Sequence, residues 1–151
     1  MLKGIDPLLS PELLQVLAQM GHGDEIVVAD ANFTAVSLAQ GRPLISLPGA
    51  GVRRTAEALL SLLPLDAAVA QPVAYMQVSD TPASYRSALQ RSVLASLEAH
   101  GWATSAQCEA IERFAFYERV RGAFAIVHTG ELQPFANFIF KKGVIAEALA
   151  A

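Results

Sequence analysis

The chain has 151 residues, of which 53% are hydrophobic and 17% are charged, and its formal net charge is −3. This length predicts a single domain that buries a sizeable core, and the lack of a basic stripe argues against nucleic acid as a partner. No apolar run approaches the roughly 18 residues that a membrane span needs, so no membrane partner is expected.

The apolar surplus, the N-terminus and the cysteine content indicate the setting of the protein. A small monomer with so few charges would expose wide apolar patches, so we expect interfaces between subunits. Residues 1–7 lack the apolar segment of a signal peptide, which predicts a cytoplasmic protein. Cys108 is the only cysteine, which excludes an internal disulfide and a cysteine-based metal site.

Helix and strand signals alternate through the first half of the chain. Ser10 and Pro11 mark a helix start, since serine caps helices and proline favours their first position. Gly21 follows the apolar-periodic run of that helix, where a left-handed capping residue is expected. In order, the pattern predicts a helix at 11–20, a strand at 25–29, a short helix at 34–40, a strand at 43–47 and a helix at 52–63.

The alternation continues through the second half. The pattern predicts a brief strand at 67–70, a strand at 72–78, a helix at 83–100, a weak strand at 108–112, a helix at 113–121, and strands at 123–128 and 137–140. Only about eight residues join the last two strands, which is short for a crossover helix and favours an antiparallel pair at one edge. Together these elements predict one α/β domain over residues 1–151, a three-layer α/β/α sandwich with a mostly parallel sheet and an antiparallel edge.

The first candidate functional residues flank the strand at 25–29. Asp30 leaves its C-terminal end, where ligands gather in open α/β sheets, and His22 lies on the turn before it. If that turn folds back, His22 and Asp30 come close together. Each residue also has an ordinary alternative, since a histidine on a turn can be a surface or capping residue and an aspartate after a strand often caps a turn or helix.

Further polar side chains occur where the fold does not obviously require them. Asp66 follows a helix and a proline, and a capping role is its alternative. Arg113 and Tyr117 are four residues apart and share one helix face, which is normally solvated unless it lines a pocket. Phe135 and Asn137 enter the last predicted strand, and a plain strand start is their alternative.

Several segments of the chain share their residues and their order with one known family. These segments are residues 10–14, 20–24, 29–33, 63–66, 113–119, 129–131, 135–137 and 141–144. Their succession resembles the L-fucose mutarotase / D-ribose pyranase family, from residue 1 to about residue 144. The Phe-Ala-Phe-Tyr-Glu run at 114–118 is most similar to the fucose mutarotase branch.

The resemblance implies an isomerase of the racemase/epimerase class that interconverts the α and β anomers of a free monosaccharide. The implied substrate is L-fucose or a related sugar such as ribose or galactose, and no cofactor or metal is implied. His22 would be the catalytic proton donor. The residues implied to bind the sugar are Asp30, Asp66, Arg113, Tyr117, Phe135 and Asn137. The family also forms rings, commonly decamers, in which a neighbouring subunit completes each site.

Histidine suits this reaction on chemical grounds. Mutarotation protonates the ring oxygen of a hemiacetal while a proton leaves the anomeric hydroxyl, and the ring then closes on the other face. The unperturbed pKa of a histidine side chain, about 6.5, lets it serve in either direction near neutrality. A positioned acid or base contributes on the order of 10²- to 10⁴-fold to the rate.

Phe135 departs from the family pattern, which usually has tyrosine at this position. The missing hydroxyl costs a hydrogen bond worth roughly 0.5–1.5 kcal/mol. Asn32 and Thr34 also replace a histidine and a proline that are common in the fucose branch. The Phe135 departure keeps open a second hypothesis, a non-catalytic sugar-binding accessory of a sugar transport or utilisation pathway. A third, a metal-dependent isomerase, is disfavoured because one histidine with scattered aspartates is a poor ligand set.

Overall fold

Five α-helices and six β-strands alternate along residues 1–151, all of which the computed structural model describes. In chain order they are α1 (Pro11–Gln19), β1 (Glu25–Ala29), α2 (Ala35–Ala39), β2 (Leu44–Leu47), α3 (Val52–Leu60), β3 (Val73–Met76), α4 (Ala88–Ala99), β4 (Cys108–Ile111), α5 (Arg113–Arg121), β5 (Ala125–Thr129) and β6 (Phe138–Lys141), with a short 3-10 helix at Ser105–Gln107 before β4. None of these helices combines the length and the apolar character needed to cross a membrane.

The six strands form one sheet in the order β2-β5-β1-β6-β3-β4. β5 pairs in parallel with β1 and β2, and β3 pairs in parallel with β4, whereas β6 runs antiparallel to both β1 and β3. A mostly parallel sheet with one antiparallel strand confirms the predicted α/β class. The position of that strand differs from the predicted edge pair, because β6 lies inside the sheet and does not pair with β5.

The connection from β5 to β6 crosses the C-terminal end of β1, which lies between these two strands. Along this crossing, Ala31 N donates to Glu131 O at 2.8 Å. The shortness of the connection correctly indicated an antiparallel strand. It could not indicate which strands lie beside β6. Adjacent strands are only about 4.8 Å apart, so a short loop can cross over one strand and enter the sheet on its far side.

Helices cover both faces of the sheet, which confirms the predicted three-layer sandwich. Because side chains alternate along a strand, Ile26 and Val28 of β1 face the core beneath α1, α3 and α4. Val27 and Ala29 face the smaller core beneath α2 and α5. All four residues are fully buried, which explains why β1 has a continuous apolar run rather than an alternating one.

Two predicted elements differ near the middle of the chain. Residues 67–70 form a turn rather than a strand, and only Leu65 makes an isolated antiparallel bridge, to Lys142. The helix predicted from residue 83 begins at Ala88, because Ser87 and Gln90 form a capping box that fixes its start. The remaining elements agree with the prediction in type, and their ends shift by no more than three residues.

The end of α1 differs in detail from the predicted glycine cap. Lys142 Nζ donates to Leu17 O at 2.7 Å and to Met20 O at 2.5 Å. The left-handed residue of the following turn is Gly23, with φ 87°, and not Gly21. The lysine therefore satisfies carbonyl groups that a left-handed Gly21 would otherwise have helped to satisfy.

Candidate functional site

Asp30 and Asn137 meet where the β5–β6 connection crosses the end of β1. Asp30 directly follows β1, and Asn137 directly precedes β6. Asp30 N donates to Asn137 Oδ1 at 2.8 Å, and Asn137 Nδ2 donates to Asp30 Oδ2 at 2.9 Å. Both residues are buried, with 5% and 2% of their surfaces exposed. The two reciprocal bonds therefore fix the orientation of the Asp30 carboxylate.

The Asp30 carboxyl is held in a partly desolvated environment. Its Oδ1 accepts from Asn32 N at 3.0 Å. Burial raises the pKa of the Asp30 carboxyl above its usual value, and the hydrogen bonds from Asn137 and the neighbouring backbone offset part of that rise. Such a carboxylate is a strong acceptor for the hydroxyl groups of a ligand, because water competes poorly for it.

Helix α5 contributes Arg113 and Tyr117, which share one helix face as their spacing predicts. Arg113 Nε donates to Tyr117 Oη at 2.8 Å, and the guanidinium carbon lies 5.4 Å from the centre of the tyrosine ring. Glu112 caps the helix by accepting from Phe114 N and Ala115 N, which places Arg113 in the first turn. The terminal guanidinium nitrogens of Arg113 have no partner within the chain and can therefore serve a ligand.

These side chains line a cavity of about 210 Å³. The lining residues are the polar Asp30, Asn32, Arg113, Tyr117 and Asn137 and the apolar Phe33, Met76, Pro134 and Phe135. The volume lies below the roughly 300–1,000 Å³ of pockets for drug-sized molecules, so the cavity suits a smaller ligand. The structure has no group of three His, Cys, Asp or Glu side chains arranged to hold a metal ion.

Phe135 has an unusual backbone conformation at the cavity. Its φ of 59° lies in the left-handed region, which aromatic residues rarely adopt. Its carbonyl oxygen accepts a hydrogen bond from Gln90 Nε2 at 3.0 Å. The half-buried ring lines the cavity without offering a hydroxyl group. Strained backbone of this kind clusters at functional sites, which supports interpreting the cavity as one.

His22 and Asp66 form a second polar pair. His22 Nε2 lies 3.0 Å from Asp66 Oδ1, and the Asp66 side chain is buried whereas that of His22 is 51% exposed. Hydrogen bonds from Ala68 N and from the His22 ring hold the pKa of the Asp66 carboxyl below its usual value. Because the ionised carboxylate can only accept, Nε2 carries the hydrogen, and Nδ1 is left to exchange a proton with another group.

This second pair lies at the opposite end of β1 from Asp30. Gly23 N donates to Lys142 O just after the end of β6, whereas Asn137 precedes the start of that strand. A five-residue strand at about 3.3 Å per residue spans roughly 16 Å, so His22 does not reach the cavity of its own chain. The expectation that the turn folds back onto Asp30 is therefore wrong. Within one chain, only Asp30, Arg113, Tyr117, Phe135 and Asn137 come together at the cavity.

Phe33 and Met76 are cavity residues that the sequence did not single out. Met76 ends β3 and Phe33 follows shortly after Asp30, so both lie at the same edge of the sheet as Asp30. The rings of Phe33 and Tyr117 pack edge-on with centres 5.6 Å apart, and Met76 Sδ accepts from Asn137 Nδ2 at 3.8 Å. The tendency of ligands to gather at the carboxyl ends of strands would have indicated Phe33, whereas the strand predicted at 72–78 runs past Met76.

A family model described as the RbsD / FucU transport protein family matches residues 3–145 of this chain. The chain belongs to the RbsD/FucU family. This membership confirms the relationship that the order of the sequence segments indicated, and the matched range covers both the cavity residues and the His22–Asp66 pair.

Members of the RbsD/FucU family that are named fucose mutarotase match this chain over nearly its whole length. The fucose mutarotase of Homo sapiens is 47% identical over 149 residues, which cover 96% of this chain and 95% of the relative. The L-fucose mutarotase of Actinobacillus pleuropneumoniae serotype 5b is 44% identical over 144 residues, covering 95% and 97%. The crystal structure of the Streptococcus pneumoniae fucose mutarotase in complex with L-fucose has a TM-score of 0.86 at 36% identity, covering 96% of this chain and 100% of that chain.

Proposed function

We propose that the protein is a monosaccharide mutarotase, an isomerase that interconverts the α and β anomers of L-fucose or a related sugar. The names of its relatives and the L-fucose complex of the Streptococcus pneumoniae fucose mutarotase support this proposal. The observation that carries it is the cavity in which Asp30, Asn137 and Arg113 converge beside apolar side chains. A sugar requires both kinds of surface, since it presents hydroxyl groups around a ring of C–H groups.

Each cavity side chain has its own part in holding the sugar. Asp30 accepts hydrogen bonds from sugar hydroxyls, and Asn137 fixes the orientation of that carboxylate. Arg113 donates from its terminal nitrogens, whose fork can engage two vicinal hydroxyls. Tyr117 Oη already accepts from Arg113, so its own hydrogen is available to a sugar oxygen. Phe135 supplies apolar contact.

His22 supplies the proton in the proposed reaction. Protonated Nδ1 gives its hydrogen to the ring oxygen while a water molecule takes the proton of the anomeric hydroxyl. The bond between the ring oxygen and C1 breaks at the same time, which gives an open-chain aldehyde and neutral His22. Rotation about the bond next to C1 lets the hydroxyl add to the other face as the protons return. Asp66 accepts from Nε2, so it fixes the orientation of the His22 ring.

Because His22 is remote from the cavity of its own chain, the proposed reaction requires a second copy of the protein. A ring of subunits, a decamer by resemblance, would bring the His22 of one subunit to the cavity of the next. Exposed apolar surface near the end of α1 supports such an assembly. A groove of about 590 Å³ there is lined by Leu2, Leu14 and Leu62 together with Ile145, which is 88% exposed. Clustered apolar side chains that are exposed to solvent favour burial against another subunit.

NMR saturation transfer between the α and β anomers tests the proposed activity. We expect the protein to accelerate anomer exchange of L-fucose, ribose or galactose above the rate in buffer, and most strongly for its preferred sugar. A chelator should leave that rate unchanged, since no step uses a metal. Exchange at the buffer rate for all three sugars would contradict the proposal.

A non-catalytic sugar-binding accessory of a sugar transport or utilisation pathway is the second candidate function. Phe135 favours it, because this side chain can neither carry a proton nor form a hydrogen bond with the sugar. Titration calorimetry separates the two candidates, since sugar binding without accelerated anomer exchange would support the accessory. Both candidates agree with the predicted cytoplasmic location, which remains a prediction.

A further inference from the structure

Gln90 is a buried polar side chain that the proposed reaction does not use. It lies in the first turn of α4, and none of its surface is exposed. Its Nε2 donates to Met76 O at 2.8 Å and to Phe135 O at 3.0 Å. Its Oε1 accepts from Ser87 N at 3.0 Å. One amide group thus connects the start of α4 with two backbone segments that are far apart in sequence.

Both carbonyl groups that Gln90 holds belong to residues that line the cavity. Met76 is the last residue of β3, and Phe135 lies in the connection just before β6. The last backbone contact between these strands at this end is Met76 N to Asn137 O at 3.1 Å. Beyond this contact the two backbone segments are no longer paired with each other, and the Gln90 side-chain amide bridges them instead.

Phe135 needs such a restraint because its backbone conformation is intrinsically unfavourable. A φ of 59° is readily accessible to glycine, whereas a bulky aromatic residue rarely adopts it. The Gln90 Nε2 bond fixes the Phe135 carbonyl, and that carbonyl precedes Ala136 and Asn137. Its direction therefore influences where the Asn137 amide enters the cavity.

We propose that Gln90 is a positioning residue of the cavity, which sets the conformation of residues 134–137 and through them the sugar-binding geometry. The part that concerns the sugar rests on the proposed function. Gln90 itself touches no substrate. Its effect passes through the Phe135 carbonyl to the Phe135 ring and the Asn137 side chain.

Gln90→Met tests this inference, because methionine has a similar length but cannot donate to either carbonyl. Ser87→Ala is the matched control. It removes the Ser87 Oγ that accepts from Gln90 N at 3.1 Å, and so it weakens the same helix cap without touching the two carbonyl bonds. Gln90→Glu serves as a second variant should the methionine variant fold poorly, since it keeps an acceptor for Ser87 N.

Two measurements then separate positioning from simple helix capping. In anomer-exchange kinetics, we expect Gln90→Met to raise KM by about five- to twentyfold with kcat within about twofold, whereas Ser87→Ala changes neither by more than about twofold. In amide hydrogen exchange of the unliganded protein, residues 134–137 should exchange faster in Gln90→Met only. Gln90→Glu should show the same two effects.

Equal KM values and equal exchange at 134–137 in the Gln90 and Ser87 variants would overturn the inference and leave Gln90 as a helix cap. Failure of the proposed function is recognised separately, from the wild-type protein alone, as anomer exchange at the buffer rate. In that case the amide exchange of residues 134–137 still decides whether Gln90 positions this segment.

Discussion

Burial of the Asp30 carboxyl determines how sugar binding should depend on pH. In the proposed site the ionised carboxylate accepts from sugar hydroxyls, so binding should be complete above the raised pKa and should decline as pH falls through it. We therefore expect the acid limb of the binding profile at a higher pH than the usual aspartate value of 3.8. Calorimetric Kd values across the acid range measure that limb.

Two variants control this pH experiment. Asp30→Asn should weaken binding strongly and flatten the acid limb, because the titrating acceptor is gone. Asp80→Asn removes an exposed carboxylate that does not line the cavity, and it should leave the limb in place. A limb at or below pH 3.8 in the wild-type protein would show that Asp30 is not the group that controls binding.

Phe135 provides a second test on a single residue. Phe135→Tyr adds a hydroxyl to a ring that lines the cavity, and a hydrogen bond to the sugar is worth roughly 0.5–1.5 kcal/mol. We expect the Kd for the preferred sugar to fall by about two- to tenfold. Phe114→Tyr is the matched control, since the ring of Phe114 is 67% exposed and lies outside the cavity lining. Equal Kd values for Phe135→Tyr and the wild type would contradict this expectation.

Among the secondary-structure elements, α5 depends on Arg42 for its position. Arg42 donates to Val120 O and Ala123 O at the end of α5, and to Leu38 O and Ala39 O at the end of α2. Arg42→Met removes these four side-chain hydrogen bonds, whereas Ala39 O still accepts from Arg42 N and Val120 O still accepts from Ala123 N. We expect the free energy of unfolding to fall by about 2–3 kcal/mol in urea titrations.

Two further substitutions, for which we expect smaller effects, calibrate that measurement. Arg91→Met removes an exposed arginine whose hydrogen bond is to Arg86 O, and its effect should stay within about 0.5 kcal/mol. Arg42→Lys keeps the charge and some of the bonds, so its loss should be intermediate. A loss for Arg42→Met no larger than that for Arg91→Met would mean that the four carbonyl contacts do not stabilise the fold.

The sequence predicts individual elements well where their signals are local. Ser10 and Pro11 fix the start of α1 correctly, and the spacing of Arg113 and Tyr117 places both on one face of α5. The order of the strands in the sheet is not a local property, because it depends on pairing and packing between segments that are far apart in the sequence. Phe138 and Ile139 are both fully buried although they point to opposite faces, which is expected of an interior strand and not of an edge strand.

The separation of His22 from the cavity of its own chain has a geometric reason. His22 precedes β1 and Asp30 follows it, and a regular strand holds residues on its two sides apart. Sequence patterns single out both residues but carry no information on whether a neighbouring subunit brings them together. The strand length alone indicates that one chain cannot unite them.

For the whole molecule, the separation of His22 from the cavity predicts complementation between inactive variants. His22→Asn should lose catalysis by about 10²- to 10⁴-fold, and Asp30→Asn should lose sugar binding. If a neighbour completes each site, refolding the two variants together creates sites that combine an intact cavity with an intact His22. In a head-to-tail ring assembled by random mixing, a site is complete when the subunit that supplies the cavity has an intact Asp30 and its neighbour has an intact His22. About a quarter of the sites meet both conditions, so the mixture should recover about a quarter of the wild-type rate of anomer exchange.

Mixing His22→Asn with the double variant His22→Asn/Asp30→Asn is the control, because no site in that mixture can be complete. Activity that stays at the control level in the first mixture would contradict a shared site. It would require His22 to act within its own chain or not at all.

The interior position of β6 also has a consequence for the order of folding. All other strands precede β6 in the chain, so until residue 141 is available the sheet consists of two separate pieces, β2-β5-β1 and β3-β4. Inserting β6 joins these pieces and, in the same step, brings Asn137 to Asp30. A nascent polypeptide therefore acquires its ligand pocket only when its final strand closes the gap, and a sugar that binds there favours the completed sheet over every earlier intermediate.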